Sequence, residues 1–597
     1  MPTPEILSDY DITSLTTFGL KAKAKWFASY KDLRELRLLA RTQQFNEEEI
    51  LHIGGGSNLL FDGDFNGLIL HSEIKGIKIY RKDESTVYAI AGAGENWADF
   101  VDYCVDNGLG GLENLAMIPG EVGASAIQNV GAYGVEACDR IHRVECYDRL
   151  TGDIREFSNS ECRFGYRDSI FKNEYRNRFF VLRVSFRLDP DTRAKHTGYG
   201  ALRLLAERIG HEPSISEVRD EVKAIRSAKL PDPKMIGSAG SFFKNPVVSR
   251  EYYEKVILKR DPETPHYDAG DGMVKIPAGW LIDRCGLKGK SVGGAEVYEK
   301  QALVIVNKGN ATASDILALC DVIRRAVRQR FTVTLHPEVN IIDTGIKATI
   351  LGSGTSKGVP EIGCGCNVCR SEDSRDKRLR SSALVSTHGM NILIDSSPDF
   401  RRQALDADIS FIDAVLFTHT HYDHVGGIDD LRVYTATDDL PLYMRPDVAA
   451  DLRRRIDYCF KDETYPGVPS FRIHEIDEHK PFMISGLKIT PIPVFHGKLP
   501  IVGYRIGDFA YITDASMIPE ESMDLLRDLD VLIINSLRKT PHFAHFSLEE
   551  SLAVIGQLKP RRAYLTHLCH EMGCHADVEK ELPENVRIAY DGLVIQD

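Results

Sequence analysis

The chain has 597 residues, a formal net charge of −13 and 43% hydrophobic residues, an ordinary globular composition that predicts three or four domains. Its acidic balance gives no overall support to binding of nucleic acid or of a membrane surface. No apolar run approaches the ~18 residues that a membrane span requires.

Two further features indicate a cytoplasmic protein. The first residues, MPTPEILSDY, contain no basic region followed by an apolar one, so we expect no secretory signal. The twelve cysteines are mostly scattered singly, which argues against a disulfide framework.

Two glycine-rich segments near the start predict a site for a phosphate-bearing cofactor. The first is LHIGGGSNLLF (51–61), which taken alone is equally compatible with an ordinary turn, and the second is IPGEVGASAIQNVGAYG (118–134). Glycines let the backbone approach a phosphate closely, and exposed N–H groups bind it. Neither segment is a G-x-G-x-x-G motif after the first strand, which disfavours a Rossmann fold. The candidate cofactor residues are Gly54, Gly55, Gly56, Ser57, Asn58, Pro119, Gly120, Gly123, Gln128, Asn129, Gly131 and Tyr133.

Four further motifs follow in chain order: FGYRDSIFK (164–172), KLPDP (229–233), GSAGSFFKNP (237–246) and LHPEVN (335–340). With the glycine-rich segments they closely resemble the type I UDP-N-acetylenolpyruvoylglucosamine reductase (MurB) family, from about TTFGL (16–20) to residue 343. The resemblance implies an α+β flavin-binding domain of the PCMH/MurB type, in two lobes, over residues 1–190. It also implies an α+β substrate-binding domain over residues 191–345.

This resemblance implies a reaction as well. NADPH would reduce bound FAD, and the flavin would pass hydride to the enolpyruvyl double bond, giving UDP-N-acetylmuramate for peptidoglycan and cell-wall synthesis. Hydride addition builds negative charge on the conjugated carboxylate, which Arg167 can stabilise. Glu338 matches the acidic partner, and Ser241 matches the proton donor. The candidate substrate-binding residues are Tyr166, Tyr199, Lys229 and Asn245; an ammonium such as that of Lys229 is a suitable phosphate partner.

The remaining elements of the first half lead to a domain boundary. LVIVN (303–307) predicts a strand, and ATASDILALCDVIRRAVRQRF predicts a helix that begins near Thr312 or Ser314. LHPEVNIID predicts a last strand, and KATILGSGTSKG predicts the first strand and turn of another unit, so the boundary falls near residues 343–348. The mixed-charge stretch RSEDSRDKRLRSS (370–382) is interpreted as a solvated loop.

The second half contains a dense group of metal-binding residue types. In FTHTHYDHVGG (417–427), the run HTHYDH follows the predicted buried strand DAVLFT, and its alternate side chains can turn toward two metals. Three more candidate ligands, His496, Asp514 and His567, follow β-rich runs and are expected at the same edge of a sheet. Imidazole and carboxylate suit Zn, Mn or Fe. The candidate ligands are His419, His421, Asp423, His424, His496, Asp514 and His567.

This pattern resembles the metallo-β-lactamase superfamily over about residues 346–597, which implies an αβ/βα sandwich. The resemblance implies that His419, His421 and His496 bind one metal. It implies that Asp423, His424 and His567 bind the other. Asp514 would bridge the two metals, which in such pairs generate hydroxide and clamp both oxygens of an in-line displacement.

GCGCNVC adds three closely spaced thiols, Cys364, Cys366 and Cys369, which predict a structural zinc in need of a fourth ligand. Together with the metal ligands, the motif resembles PhnP and related phosphodiesterases, which implies a Cys₃His site completed by His570. Cys569 and Cys574 remain rival ligands, and buried free thiols remain the alternative to a zinc site.

His545, in PHFAHFSLEE, matches a histidine that relatives use near the leaving group, where it can protonate the alkoxide. The alternative is a surface histidine before a helix cap at Ser547.

The sequence thus predicts a bifunctional enzyme, a reductase fused to a hydrolase of small phosphodiesters with two divalent metals (Zn or Mn) and one structural Zn. We expect no nucleic-acid or membrane partner. The alternatives for the second half are a tRNA-processing-like nuclease and a regulatory or binding module without catalysis.

Overall fold

The computed structural model describes residues 4–83, 86–198, 200–342, 345–387, 389–435, 439–461, 468–485 and 487–596. The chain divides into two compact units, Met1–Thr344 and Gly345–Asp597. Within the described part of the chain, every helix is too short or too polar to cross a membrane.

Two sheets form the beginning of the first unit. A mixed four-stranded sheet has the order Leu7–Asp11, Lys23–Tyr30, Phe65–Ser72 and Ile50–Ile53, with helices at Leu33–Leu39 and Gln43–Glu47. An antiparallel sheet has the order Ile154–Ser158, Ile141–Asp148, Phe179–Leu188, Val87–Gly92 and Ile77–Arg81, with helices at Trp97–Asp106 and Val122–Gln128. The central strand, FFVLRVSFRL, packs its apolar residues into cores on both of its faces.

The following segment builds smaller sheets and two long helices. Its strands are Gly237–Ser241, Val304–Asn307, Ala295–Val297 and Ser291–Val292 in one sheet, and Val247–Ser249, Met273–Lys275 and Tyr267–Asp268 in another. The helix Ala313–Phe331 begins at Thr312, whose hydroxyl and Asp315 form a reciprocal capping box, so the predicted helix is confirmed. The other long helix, Ile215–Lys229, packs Val218 and Val222 into the core of the five-stranded sheet.

The end of the first unit returns to its first glycine-rich segment. The strand Asn340–Ile342 runs parallel to Leu59–Phe61, and the Asn340 N–H donates to the Asn58 carbonyl at 3.0 Å. The predicted flavin and substrate segments are therefore joined by backbone hydrogen bonds beside the glycines.

The second unit contains two seven-stranded sheets. One has the order Phe471–Glu475, Leu440–Met444, Ala414–Leu416, Met390–Ile394, Ser382–Thr387, Lys347–Gly352 and Val594–Ile595. The other has the order Phe482–Ile484, Leu487–His496, Leu499–Ile506, Phe509–Ile512, Val531–Asn535, Arg562–Thr566 and Val586–Ile588.

Helices cover the outer faces of both sheets. Ile394 and Leu416 of one sheet share a core with Tyr504 and Ile533 of the other. The outer faces are covered by Phe400–Asp406 and Pro446–Arg455 on one side and by Leu548–Leu558 on the other. This layering confirms the predicted αβ/βα sandwich.

The interpretation of residues 370–382 as a solvated loop is wrong for several of its members. Arg378 is 4% exposed and donates to the Ser353 hydroxyl and the Ala589 carbonyl. Asp376 is 1% exposed and accepts the His575 N–H at 2.7 Å. These charged groups are buried because partners distant in sequence satisfy them, which a local charge pattern does not reveal.

Candidate functional sites

The two glycine-rich segments lie against each other. A Cβ added to Gly55 would lie 3.5 Å from the Gly120 Cα, and the Ser57 hydroxyl donates to the Pro119 carbonyl at 3.1 Å. Gly56 has φ +59°, and a Cβ there would lie 1.7 Å from the Leu15 carbonyl oxygen, so only glycine fits. The result is a backbone surface that a phosphate group can approach closely.

Side chains next to these glycines connect the surface to Glu338. The Asn58 amide donates to Gln128 at 2.8 Å and to the Glu338 carbonyl at 3.0 Å. Asn129 ends its helix with φ 46° and donates to Glu136 at 2.9 Å and to the Gly165 carbonyl at 2.8 Å. The predicted cofactor residues and a predicted catalytic carboxylate therefore share one hydrogen-bond network.

Two other predicted cofactor glycines lie where side chains would collide with neighbours. A Cβ on Gly123 would lie 2.8 Å from that of Ala93, and one on Gly131 would lie 2.8 Å from an Arg167 guanidinium nitrogen. Tyr133, two residues after Gly131, is half-buried with φ 50°. The backbone between the second glycine-rich segment and Arg167 is therefore closely packed against its neighbours.

Arg167 and Glu338 form an ion pair with 2.7 Å between Nε and Oε1, and their side chains are 15% and 16% exposed. Arg167 has φ 56°, a left-handed conformation that non-glycine residues adopt rarely and that often marks functional sites. Its guanidinium also donates to the Gly131 carbonyl at 2.5 Å and lies 5.0 Å from the centre of the Tyr166 ring. These contacts together fix the position of the Arg167 guanidinium.

The segment after Ser241 runs beside this ion pair. Ser241 is exposed at the end of its strand, and the next residue, Phe242, accepts the Glu338 N–H at 2.8 Å. The Asn245 N–H donates to the Tyr166 hydroxyl at 3.4 Å. Lys229 is exposed at the end of its helix, and Tyr199 lies outside the described residues.

Two lysines in this neighbourhood were not predicted from the sequence. Lys172 donates to the Arg167 carbonyl at 3.4 Å, and burial, with help from Lys244, lowers the pKa of Lys172 to about 8. Lys275 lies 4.1 Å from the centre of the Tyr166 ring. Lys172 is part of the quoted motif FGYRDSIFK, but Lys275 had no signal in the sequence.

In the second unit, the seven predicted ligands come together in two groups. One contains His419, His421, His496 and Asp514, and the other contains Asp423, His424, Asp514 and His567; within each, the ligand atoms lie within 4.8 Å of one another. Asp514 belongs to both groups, so its carboxylate is placed to bridge two ions.

The candidate ligands come from two sheets, and the three that were expected at one sheet edge do share one sheet. The cluster from His419 to His424 follows the strand Ala414–Leu416 of one sheet. His496, Asp514 and His567 lie at or just after strand ends of the other sheet. Asp514 and His567 have φ values of 55° and 57°, another instance of left-handed backbone at a candidate site.

Outer partners orient several of these imidazoles. His424 Nδ1 lies 2.7 Å from a carboxylate oxygen of Asp395, and His496 Nδ1 lies 2.7 Å from the Ala544 carbonyl. Such contacts direct the other ring nitrogen to the metal. Asp395, which is fully buried, was missed, although it follows the strand Met390–Ile394 in NILIDSS and so had a strand-end signal.

The donor set fits a pair of cations. The Nε2 atoms of His419 and His424 are buried and make no hydrogen bond among the described residues. Burial alone would raise the pKa of Asp514, but the imidazoles of His567 and His424 outweigh it and hold this pKa well below its usual range. An ionised carboxylate beside several imidazole nitrogens is a donor set suited to divalent metals.

His545 lies inside this centre, and its side chain is only 12% exposed. Its Nδ1 is buried without a hydrogen bond among the described residues and lies 3.9 Å from an Asp514 oxygen. Its ring centre is 4.5 Å from that of His496 and 4.9 Å from that of His567. This placement contradicts the surface-histidine alternative.

The three cysteines form a separate group with His570. The Nδ1 atom of His570 lies 3.2, 3.6 and 3.4 Å from the sulfurs of Cys364, Cys366 and Cys369. Its Nε2 atom lies 3.5 Å from Glu361, an orienting carboxylate.

The donor chemistry of this group fits a zinc ion. The backbone N–H of Cys369 lowers the pKa of Cys366 to about 6, which favours the thiolate that binds metal. Among the described residues, the metal-type group contains His570 rather than Cys569 or Cys574, so the geometry favours His570 as the fourth ligand.

Comparisons with known proteins agree with this division. The FAD binding domain family matches residues 25–158, and the UDP-N-acetylenolpyruvoylglucosamine reductase C-terminal domain matches residues 232–342. The Beta-lactamase superfamily domain matches residues 390–568.

Individual relatives cover each half. The UDP-N-acetylenolpyruvoylglucosamine reductases of Neisseria gonorrhoeae and Bacteroides fragilis are 48% and 47% identical, over 56% of this chain and 96% and 99% of theirs. The reductase MurB of Thermus caldophilus is 25% identical with a TM-score of 0.39, over 57% of this chain and 98% of that one. A diphosphatase from the PhnP family is 39% identical with a TM-score of 0.40, over 42% of this chain and 98% of that one.

Fold and sites together define a flavin-binding oxidoreductase of peptidoglycan synthesis joined to a second, hydrolase-type domain. The chain belongs to the UDP-N-acetylenolpyruvoylglucosamine reductase (MurB) family, which its first half matches, and residues 390–568 of its second half match the Beta-lactamase superfamily domain.

Proposed function

We propose that the chain is a bifunctional enzyme. Its first half reduces UDP-N-acetylenolpyruvoylglucosamine to UDP-N-acetylmuramate with NADPH through FAD, and its second half is a metal-dependent phosphodiesterase. The observation that supports the first activity is the Arg167–Glu338 ion pair beside the paired glycine segments. The observation that supports the second is the largely buried donor set whose two groups share Asp514.

In the reductase, bound FAD would supply the hydride. Addition of hydride to the double bond moves electrons toward the substrate carboxylate, and the guanidinium of Arg167 neutralises that charge. Glu338 holds Arg167 in place through a charge-assisted hydrogen bond of 2.7 Å. Ser241 would then give a proton to the neighbouring carbon, while Tyr199, Lys229 and Asn245 would hold the nucleotide diphosphate.

The spectrum of the bound cofactor tests this proposal. The purified chain should be yellow, NADPH should bleach it, and UDP-N-acetylenolpyruvoylglucosamine should restore the colour. A protein that stays colourless after refolding with FAD, or that bleaches with NADPH but is not reoxidised by this substrate, contradicts the proposal.

In the hydrolase, two divalent metals would lower the pKa of bound water and neutralise the phosphoryl oxygens. His419, His421 and His496 would hold one metal, Asp423, His424 and His567 the other, and Asp514 would bridge them. The buried, unpaired Nδ1 of His545 would lie near the leaving oxygen, where it can deliver a proton. Cys364, Cys366, Cys369 and His570 would hold a structural zinc.

A substrate panel on the metal-loaded full chain tests this activity. Bis(p-nitrophenyl) phosphate should be hydrolysed, and a phosphoric anhydride should be included because one PhnP-family relative is described as a diphosphatase. Cleavage of precursor tRNA instead of small esters would favour the nuclease alternative. Two bound metals without hydrolysis of any of these compounds would favour the module without catalysis.

We propose the cytoplasm as the location. The twelve cysteines of the chain include no disulfide, and free thiols are typical of reducing compartments. Labelling of the native protein with a thiol reagent in the presence and absence of reductant tests this: equal labelling agrees with it, and reductant-dependent labelling contradicts it.

A further inference from the structure

A row of aromatic rings leads from the candidate dinuclear centre to the protein surface. His545 stacks on the ligand His567, with 4.9 Å between ring centres and 22° between planes. His542 follows at 5.2 Å from His545, and Phe543 lies 4.6 Å from His542. The row ends in a phenyl ring that is 86% exposed.

The loop that carries these rings is braced, so the exposure of Phe543 is not that of a loose segment. Arg538 donates to the carbonyls of Thr540 and Pro541 at 3.3 and 3.2 Å and pairs with Glu571 at 2.6 Å. The Ala544 carbonyl lies 2.7 Å from His496 Nδ1. The loop is therefore held at both ends, once by a salt bridge and once by a candidate metal ligand.

A second apolar side chain lies on the neighbouring ligand segment. Met517, three residues after Asp514, is 47% exposed, and its carbonyl accepts the Phe495 N–H next to His496. A Cβ on Gly497, which follows His496, would lie 3.7 Å from Ala544, so this turn packs against the loop of Phe543. Single exposed apolar residues are common, but these two lie on adjoining segments beside the same candidate centre.

We propose that Phe543 and His542 form a subsite for a planar aromatic ring, so that the substrate is a phosphate ester of an alcohol that carries such a ring, for example a nucleoside. The inference rests on the proposed hydrolase function and names its substrate class. The phosphate would lie at the centre formed around Asp514, and the ring would stack on the exposed face of Phe543. Aromatic side chains bind nucleobases by stacking with little dependence on the particular base.

Two ligands that differ only by a base test this subsite. Dissociation constants of adenosine 5′-monophosphate and of ribose 5-phosphate are measured by calorimetry on the full chain loaded with FAD and metal. We expect the nucleotide to bind about 5- to 100-fold more tightly, the range that stacking of one base provides. Phe543→Ala should reduce this ratio to about twofold or less, whereas Phe543→Tyr should keep most of it.

A matched control separates this effect from general loss of surface apolar area. Leu405 is 63% exposed on the helix Phe400–Asp406, and Leu405→Ala should leave the ratio unchanged. Equal affinities of the two ligands for the native chain, or a ratio that survives Phe543→Ala, overturn the inference.

Hydrolysis of bis(p-nitrophenyl) phosphate by the same preparations reports on the proposed function separately. If the chain hydrolyses this ester but binds the nucleotide and ribose 5-phosphate equally tightly, the ring subsite is rejected and the hydrolase function is retained. A Phe543-dependent ratio without hydrolysis rejects the hydrolase and leaves the subsite standing as a binding site.

Discussion

The two candidate sites satisfy their buried charges in opposite ways. In the reductase half, the Arg167 cation is paired with the Glu338 carboxylate and with backbone carbonyls of the same chain. In the hydrolase half, the buried nitrogens of His419 and His424 make no hydrogen bond among the described residues, next to the carboxylate of Asp514. The first site pairs its cation with groups of the protein, whereas the second gathers several imidazoles and carboxylates into a donor set that suits divalent cations.

This difference predicts different responses to mutation. Removing a residue of the reductase site should impair one chemical step and leave the site in place. Removing a carboxylate of the hydrolase site should change the number of bound metals, because the remaining donors would be too few to hold both ions.

The largest expected effect is that of Asp514→Ala. Loss of the shared carboxylate removes the fixed spacing of both metals, and metal ions supply several kcal/mol of transition-state stabilisation, so hydrolysis of bis(p-nitrophenyl) phosphate should fall by about 10⁴-fold. Metal analysis should show fewer than two ions at this site. Asp508→Ala, at a carboxylate that is 75% exposed, is the control and should retain both metals. If Asp514→Ala hydrolysed the ester at an unchanged rate, the predicted difference between the two sites would be wrong.

Ser241→Ala tests the prediction that a change in the reductase site impairs a single chemical step. General acid groups contribute about 10²–10⁴-fold, so flavin reoxidation by the enolpyruvyl substrate should slow by that factor. Flavin reduction by NADPH in the same sample is the internal control and should remain nearly unchanged. Stopped-flow absorbance measures both steps, and equal slowing of both would indicate that Ser241 has a structural role.

Asp395→Asn should have a smaller effect, because Asp395 acts through His424. Partners that orient ligating histidines contribute about 10- to 100-fold to metal affinity or activity. We expect this loss in a metal titration followed by the rate of ester hydrolysis. Excess metal should restore much of the rate, whereas it should not restore Asp514→Ala; equal behaviour of the two variants contradicts the distinction between orienting and bridging carboxylates.

The smallest effect on catalysis is expected for Cys366→Ser. The zinc content should fall by about one atom, and a loss of ~2–3 kcal/mol of folding free energy would lower the Tm of this unit by about 5–10 °C. Cys459→Ser, at a half-buried thiol of the same unit, should keep the zinc. Calorimetry and metal analysis measure both quantities. A Cys366→Ser protein with normal zinc content would favour the interpretation of the three cysteines as free thiols.

Prediction from sequence succeeded where function depends on residues close together in the chain. FTHTHYDHVGG places four candidate ligands on one loop by covalent connectivity alone, and the helix Ala313–Phe331 follows from its periodicity and its cap. Local signals failed for residues 370–382, because a charged residue such as Arg378 is solvated or buried according to partners far away in sequence.

The sequence by itself determined the two families, the identity of the metal-type donors and the residues expected around the enolpyruvyl carboxylate. Only the tertiary structure decided that the metal ligands meet between two sheets, that Asp395 orients His424, and that His570 rather than Cys569 or Cys574 joins the cysteines. It alone also placed an exposed Phe543 at the end of a row of rings. The physical reason is that donor chemistry belongs to the residue, whereas burial, orientation and pairing depend on contacts between segments far apart in the chain, such as those of Cys364 and His570.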